Sequence, residues 1–534
     1  MPGRIYFSGT LRYKKSHSRF SNESPDRIKI LHNILLNSKL NLNTAERGLG
    51  MYFLIVLLLC VSIGKSMTFD QYFIDKTMRI DYYHTGSATN EVCAVDRIYQ
   101  VDRWAGNLNN CIDRFDNGAY YIKILDAMTG DLIFSKGFDS IFKEYKTTER
   151  GIKGINRTYH ETALIPFPKK KIVFSLHMRK RDNSLEEVFR EEIDPDSVDV
   201  IREEKQNPAV RVFHPVVNGD IHRKVDIVVL GEGYTGNEVQ KFEKDLQRFV
   251  KVFFMPEPYT SNVKSFNISG VLLPSVESGV DEPRANIFKN TALNASFNSL
   301  GSERYLLTED NKTMRDIAGN VPYDALFIMV NHARYGGGGI YNTFCTFTSD
   351  NQWYEYLLLH EFGHSFAGLA DEYYTSETSY NDFYPAAIEP CEPNITALLD
   401  KDNVKWKSLL DKGIAVPTPW EKEAFDRMDL VWQKERKLLN NKIAQLKRER
   451  AQPEKIKQAQ EEYEKVSRDH ANKMDTYLES SKYFGKVGVF EGAGYASTGL
   501  YRPMIDCIMF SKGNKPFCKV CEKAIKKVID YYCD

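Results

Sequence analysis

The chain has 534 residues, 72 Lys and Arg against 72 Asp and Glu, with 42% hydrophobic and 12% aromatic residues. Balanced charge gives no electrostatic footprint for a nucleic-acid partner, and this much apolar material excludes a disordered tail. At roughly 150 residues per domain, two to four domains are expected.

The charge is unevenly spread. Residues 1–66 hold ten basic residues against three acids, so the rest of the chain is acidic by a net seven charges. Met51 to Ile63 reads MYFLIVLLLCVSI, thirteen residues without a charge. That is short of the ~20 needed to span a bilayer and fits the apolar core of a secretory signal, followed by small residues at Gly64 and Ser66. The expected organisation is a basic leader over 1–50, not translated if Met51 is the initiator, and a signal peptide over 51–66. A signal anchor, with membrane attachment through this segment, is the alternative. Lipidation at Cys60 fits poorly with the bulky Leu59 before it. Each of these exports the chain, so a secreted or cell-surface protein is expected.

Over 67–215 short β-branched and aromatic runs alternate with turns: Ala119–Leu125, Asp131–Phe134 and Lys171–His177, with Asn117-Gly118 and Thr129-Gly130 as turn dipeptides. The spacing predicts an N-terminal antiparallel β-sandwich. His84, His160 and His177 are isolated there and read as structural. Without Cys60, eight cysteines remain, and export makes disulfides the default, with Cys93 and Cys111 the attractive local pair. Cys518-Lys-Val-Cys521 has the spacing of a redox pair or half a zinc ribbon. Neither a second paired motif nor a thioredoxin-like context accompanies it, so it too is expected in disulfides.

From 216 to 534 the pattern changes. Val225–Gly231 and Tyr323–Val330 read as buried strands and Val239–Phe254 as a helix, an α/β (α+β) alternation that marks the catalytic-domain candidate. The glycine run Gly336–Gly339 lacks the Lys-Ser/Thr of a phosphate loop. Ile340–Thr346 after it is expected to be a strand, either aligning an extended peptide or lying in the core, with His332 and Arg334 nearby.

The run Tyr356–Tyr373 contains His360-Glu361-x-x-His364. Residues four apart share a helix face, so both imidazoles can reach one metal ion while Glu361 reaches a water beside it. Two histidines leave a tetrahedral ion short of a protein ligand. Gly368 can end the helix and reverse the chain, and Asp371 three residues later can close the site, with Glu372 as its nearest rival. The expected cofactor is one catalytic Zn2+. Residues 420–482 turn to Glu, Lys, Arg, Gln and Ala, with apolar positions at helical spacing and Pro453 within. They predict a helical hairpin insertion that packs on its own domain or contacts a partner.

His360–Tyr373, with Phe490–Tyr495, Tyr501–Pro503, Cys507–Met509 and Phe517–Cys521, resembles the bacterial immunoglobulin-A-cleaving metallopeptidases, a metzincin-like family. The common metzincin motif would place its glycine and third ligand at Ala367 and Ala370, so the turn here carries one extra residue and an aspartate. The resemblance implies a β-rich domain before a metzincin-like catalytic domain. It also implies that Met509, rather than Met504, is the methionine beneath the metal.

Glu361 would then serve as general base for a metal-activated water attacking a peptide bond, with Tyr373, Tyr501 and Arg502 as candidate oxyanion donors. The substrate expected is protein or peptide. A surface binding protein with a structural or inactive metal site, and a zinc hydrolase of another bond, are the competing readings. Glu361 argues against the first of these, because a structural site has no use for a base.

Overall fold

The computed structural model describes residues 68–202, 207–374, 384–385 and 387–534; the expected leader and signal lie outside them. In the N-terminal part the strands are β1 (Phe73–Gly86), β2 (Glu91–Val101), β3 (Tyr120–Asp126) and β4 (Leu132–Phe138). A short helix, α1 (Ile141–Thr147), precedes β5 (Arg157–Pro168), β6 (Ile172–Arg179), β7 (Leu185–Ile193) and β8 (Val200–Ile201). They form two four-stranded sheets, ordered β5-β1-β2-β8 and β4-β3-β6-β7. Alternate residues of a strand share a face, and Met78, Ile80 and Tyr82 of one sheet meet Ile122, Ile124 and Phe174 of the other in one core. Gly130, at φ 74°, makes the turn from β3 to β4.

The histidines here are structural. His84 is 1% exposed, with Nδ1 3.1 Å from Glu161 and Nε2 3.4 Å from Glu91. Burial alone would depress its imidazolium, but Glu161, Cys93 and Glu91 push it up to about 11. The folded value lies above the ~6.5 of a free imidazole, so the stabilisation is complete below about pH 6.5 and is lost as pH rises towards 11. The unfolding midpoint of the wild type should therefore fall more between pH 6 and 9 than that of His84→Gln; parallel pH profiles would contradict the charged pair.

The second part is built on a six-stranded sheet of order β13-β14-β12-β10-β11-β9. Its strands are β9 (Arg211–Val216), β10 (Val225–Glu232), β11 (Phe266–Leu272), β12 (Ala325–Val330), β13 (Gly337–Ile340) and β14 (Phe344–Thr348). The chain enters this sheet at Arg211, ahead of the boundary expected at 216. The four inner strands are parallel and the two edges antiparallel. Every residue of β10 is buried, as expected for a strand covered on both faces. Helix α2 (Val239–Phe253) turns Phe242, Leu246, Phe249 and Phe253 inward, where they share a core with Phe327, Phe347 and Phe362. Helices α3 (Asn311–Ala318) and α4 (Tyr354–Ala367) complete the layers.

Two 27-residue helices follow, α5 (Lys422–Arg448) and α6 (Pro453–Glu479), with Pro453 in the first turn of α6, where its missing N–H costs nothing. They dock on their own domain. Trp353 Nε1 donates to Ser467 Oγ at 3.4 Å, Gln352 Nε2 to Glu464 O at 3.1 Å, and Lys447 Nζ to Glu282 at 2.7 Å. Val431 and Leu438, on the apolar positions of the sequence pattern, are exposed, because Phe425, Trp432 and Leu439 face the protein instead. The chain ends with the hairpin β15 (Phe490–Ala493) and β16 (Ala496–Arg502) and helix α7 (Lys519–Cys533). Among the described residues no helix is long and apolar enough to cross a membrane.

The expected disulfides are corrected: all eight described cysteines are free thiols. Cys93 stands opposite His84 across the β1–β2 pair, whereas the Cys111 thiol rests against Leu108 O, so the local pair does not form.

Candidate active site

Helix α4 carries the His-Glu-x-x-His segment along the sheet, and ten of its fourteen residues are buried, which pins its rotation. It ends at Gly368, whose φ of 58° lies in the left-handed region where glycine carries no steric penalty. Gly368 N then donates to His364 O at 3.0 Å and Leu369 N to Gly363 O at 3.1 Å, closing the last turn and sending the chain back over the helix. Strand β13 packs so closely that a Cβ on Gly339 would lie 2.5 Å from Glu361 O. Close approach thus explains the glycine run: Gly337 and Gly339 meet the helix at Glu361, while a Cβ on Gly336 would strike Phe297 and one on Gly338 would strike Tyr305.

The structure brings His360, His364 and Asp371 together. The two Nε2 atoms are 3.1 Å apart, and Asp371 Oδ1 lies 3.1 Å from His360 Nε2 and 3.2 Å from His364 Nε2. Each imidazole is oriented by its far nitrogen. His360 Nδ1 is 3.0 Å from Ile508 O and His364 Nδ1 2.6 Å from Leu369 O. Carbonyls only accept, so both Nδ1 atoms carry the proton and both Nε2 lone pairs face Asp371. The buried Asp371 Oδ1 has no hydrogen-bond donor, while Oδ2 accepts from Tyr495 OH. Three acceptors converging without a donor fit a cation. A tetrahedral ion with bonds of about 2.0–2.2 Å would space them about 3.3–3.5 Å apart, close to what is seen. The site draws positive charge: burial disfavours the His364 imidazolium, yet Asp371 and Glu361 push its pKa up to about 9.

Glu361 lies one residue on, partly buried, and a Cβ on Gly337 would meet its Oε1 at 2.8 Å. Burial raises its carboxyl above the usual range, against the pull of His360 and His364. Met509 is fully buried beneath the helix, where Gly363 leaves it room: a Cβ there would come within 2.9 Å of its Sδ. The Asp371 loop is tied from three sides. Glu372 N donates to Met509 O at 2.8 Å, Gly494 N to Asp371 O at 2.9 Å, and Ala370 N to Asn394 Oδ1 at 2.8 Å.

Other expectations are corrected. Glu372 turns away from the histidines and lies with Cys507, Cys518 and Cys521, because consecutive residues of an extended segment point to opposite sides. Ile340–Thr346 is not one strand: Asn342, at φ 54°, turns the chain, and β14 is interior. The edge strand is Gly337–Ile340, and Gly337 O already accepts from Leu306 N at 3.2 Å. Of the three oxyanion candidates only Tyr373 lines the cleft. Arg502 is wholly buried, donating to Gly492 O at 2.7 Å and stacked over Phe510, and Tyr501 bridges Thr396. His332 and Arg334 pair with Glu282, which also binds Lys447, so they anchor the helical insertion.

Several cleft residues carried no local signal. Arg304 donates to Tyr373 OH at 3.2 Å, and Tyr335 lines the same cleft. The N-terminal part also contributes: Asn117 Nδ2 donates to Gly368 O at 3.1 Å, and Glu144 accepts from Tyr305 OH at 2.6 Å. Tyr495, whose hydroxyl donates to Asp371 Oδ2, lies 124 residues away in the β15–β16 turn, and no local sequence signal ties it to the site.

A family model described as IgA Peptidase M64 matches residues 216–529, and one described as Peptidase M64 N-terminus matches residues 68–190. A search of curated proteins finds no match.

Proposed function

The chain belongs to the M64 family of IgA peptidases, a metallopeptidase family, and from that premise we propose that it is an exported zinc peptidase hydrolysing peptide bonds in protein substrates. The observation that carries this reading is the convergence of His360 Nε2, His364 Nε2 and the donorless Asp371 Oδ1 next to Glu361. These three side chains would hold the metal, whose nitrogen- and oxygen-rich donor set suits zinc. When bound, zinc supplies Lewis-acid activation of water and of the scissile carbonyl.

Glu361 takes the proton from the attacking water and returns it to the leaving amine; a carboxyl raised by burial accepts that proton more readily than an exposed one. Tyr373, its hydroxyl held by Arg304, is the donor best placed to face developing negative charge on the substrate. The Ile508 carbonyl fixes the position of His360, and Met509 packs under the helix at Gly363; neither need touch substrate. Export rests on the uncharged run Met51–Ile63. The family's name does not set the substrate, because specificity resides in the cleft walls, here drawn from both parts of the chain.

The test is to incubate the protein with a panel of folded and denatured proteins and map new N-termini by mass spectrometry. Cleavage should stop when the metal is stripped by a chelator and return with added zinc. Cleavage indifferent to stripping, or no cleavage across the panel by zinc-loaded protein, would contradict the proposal.

A further inference from the structure

Behind the Asp371 loop lies a second group of metal-ligand side chains that the peptidase chemistry does not use. Glu372, Cys507, Cys518 and Cys521 offer four ligand atoms all within 4.8 Å of one another. Their exposures are 0%, 2%, 3% and 0%. Cys507 Sγ is 4.0 Å from Cys521 Sγ, and Glu372 Oε1 lies 3.3 Å from Cys521 Sγ and 3.8 Å from Cys518 Sγ. A tetrahedral zinc ion with Zn–S of about 2.3 Å and Zn–O of about 2.0–2.2 Å sets S···S edges of about 3.8 Å and S···O edges of about 3.5–3.7 Å. The measured separations straddle those values.

The surroundings match a thiolate centre. Backbone N–H groups of Met509, Cys518 and Cys521 donate to sulfur at 3.4, 3.2 and 3.4 Å, two of them to Cys507. Cys518 caps helix α7, whose N-terminal end favours negative charge. Asn394 Nδ2 donates to Glu372 Oε1 at 3.0 Å, leaving Oε2 buried with no partner. A disulfide does not account for this arrangement. Three thiols are an odd number, so one bond would strand the third and leave the Glu372 carboxyl buried beside it. A thiolate-rich tetrahedral set selects zinc among the common divalent ions.

We propose that Glu372, Cys507, Cys518 and Cys521 bind a second, structural zinc ion that clamps the Asp371 loop, the Met509 turn and the start of helix α7 to one another. The half ribbon Cys518-x-x-Cys521 finds its other two ligands at Cys507 and Glu372, far apart in sequence. All four positions are filled by protein, as in structural zinc sites, so this ion takes no substrate. Glu372 and Asp371 are neighbours facing opposite ways, so the second ion holds the loop that presents Asp371 to the first.

The site is tested in full-length protein whose histidine site has been removed, His360→Ala/His364→Ala, so peptidase activity is not the readout and failure here leaves the peptidase reading untouched. That protein should retain one zinc equivalent by elemental analysis, against two in the wild type. Its cobalt-exchanged form should show the near-ultraviolet sulfur-to-cobalt charge-transfer absorption of a thiolate site, and adding Cys518→Ser should abolish that absorption. Should the serine variant fail to fold, thiol mapping of wild-type protein replaces it: Cys507, Cys518 and Cys521 should resist alkylation until the metal is chelated in denaturant. A histidine-site variant free of zinc, or a disulfide among these three cysteines in a non-reduced peptide map, would overturn the proposal.

Discussion

Asp371→Ala is expected to empty the catalytic site, leaving no measurable peptidase activity after dialysis while the fold persists. Asp371 Oδ1 lies within 3.2 Å of both imidazole nitrogens, and Glu372 is committed to the thiols on the other side of the loop. Losing a partner of a ligand typically weakens metal binding about 10–100-fold. Removing the ligand itself should exceed that range, and Tyr495→Phe, which leaves Asp371 Oδ1 in place, should fall within it. Zinc titration of the apo-proteins measures both. Asp371→Ala binding the catalytic ion as tightly as the wild type would move the third ligand elsewhere.

The parts of this site that could be read from sequence are those set by local geometry. His360 and His364 share a face because they are four apart on a helix, and Gly368 and Asp371 follow from how that helix must end. The all-buried strand β10 and the amphipathic α2 were equally legible, since burial on two faces and on one leave different periodicities. What could not be read depends on chain segments that meet only in three dimensions. Ile508 O orients His360 from 148 residues away, Tyr495 reaches Asp371 from 124, and Glu372 meets Cys521 across 149. The expected export biased the cysteines towards disulfides, and nothing local in the sequence places Glu372 among three of them. Arg502, a plausible oxyanion donor by charge, lies in an aromatic pocket because its guanidinium satisfies the Glu491 and Gly492 carbonyls that the β15–β16 hairpin leaves open.

Glu361 carries the chemistry in this account, and Glu361→Gln isolates it. Glutamine keeps the shape and the packing against β13 but cannot accept a proton, and Glu361 is not among the three converging ligand atoms. Loss of a general base typically costs about 10²–10⁴-fold in rate, so kcat should fall by that factor with KM and metal content little changed. The most direct test is therefore cleavage of one protein substrate by wild type and Glu361→Gln matched for zinc content. The account predicts equal zinc, equal stability and a kcat lowered by at least about 10²-fold; equal cleavage by the two proteins would contradict it.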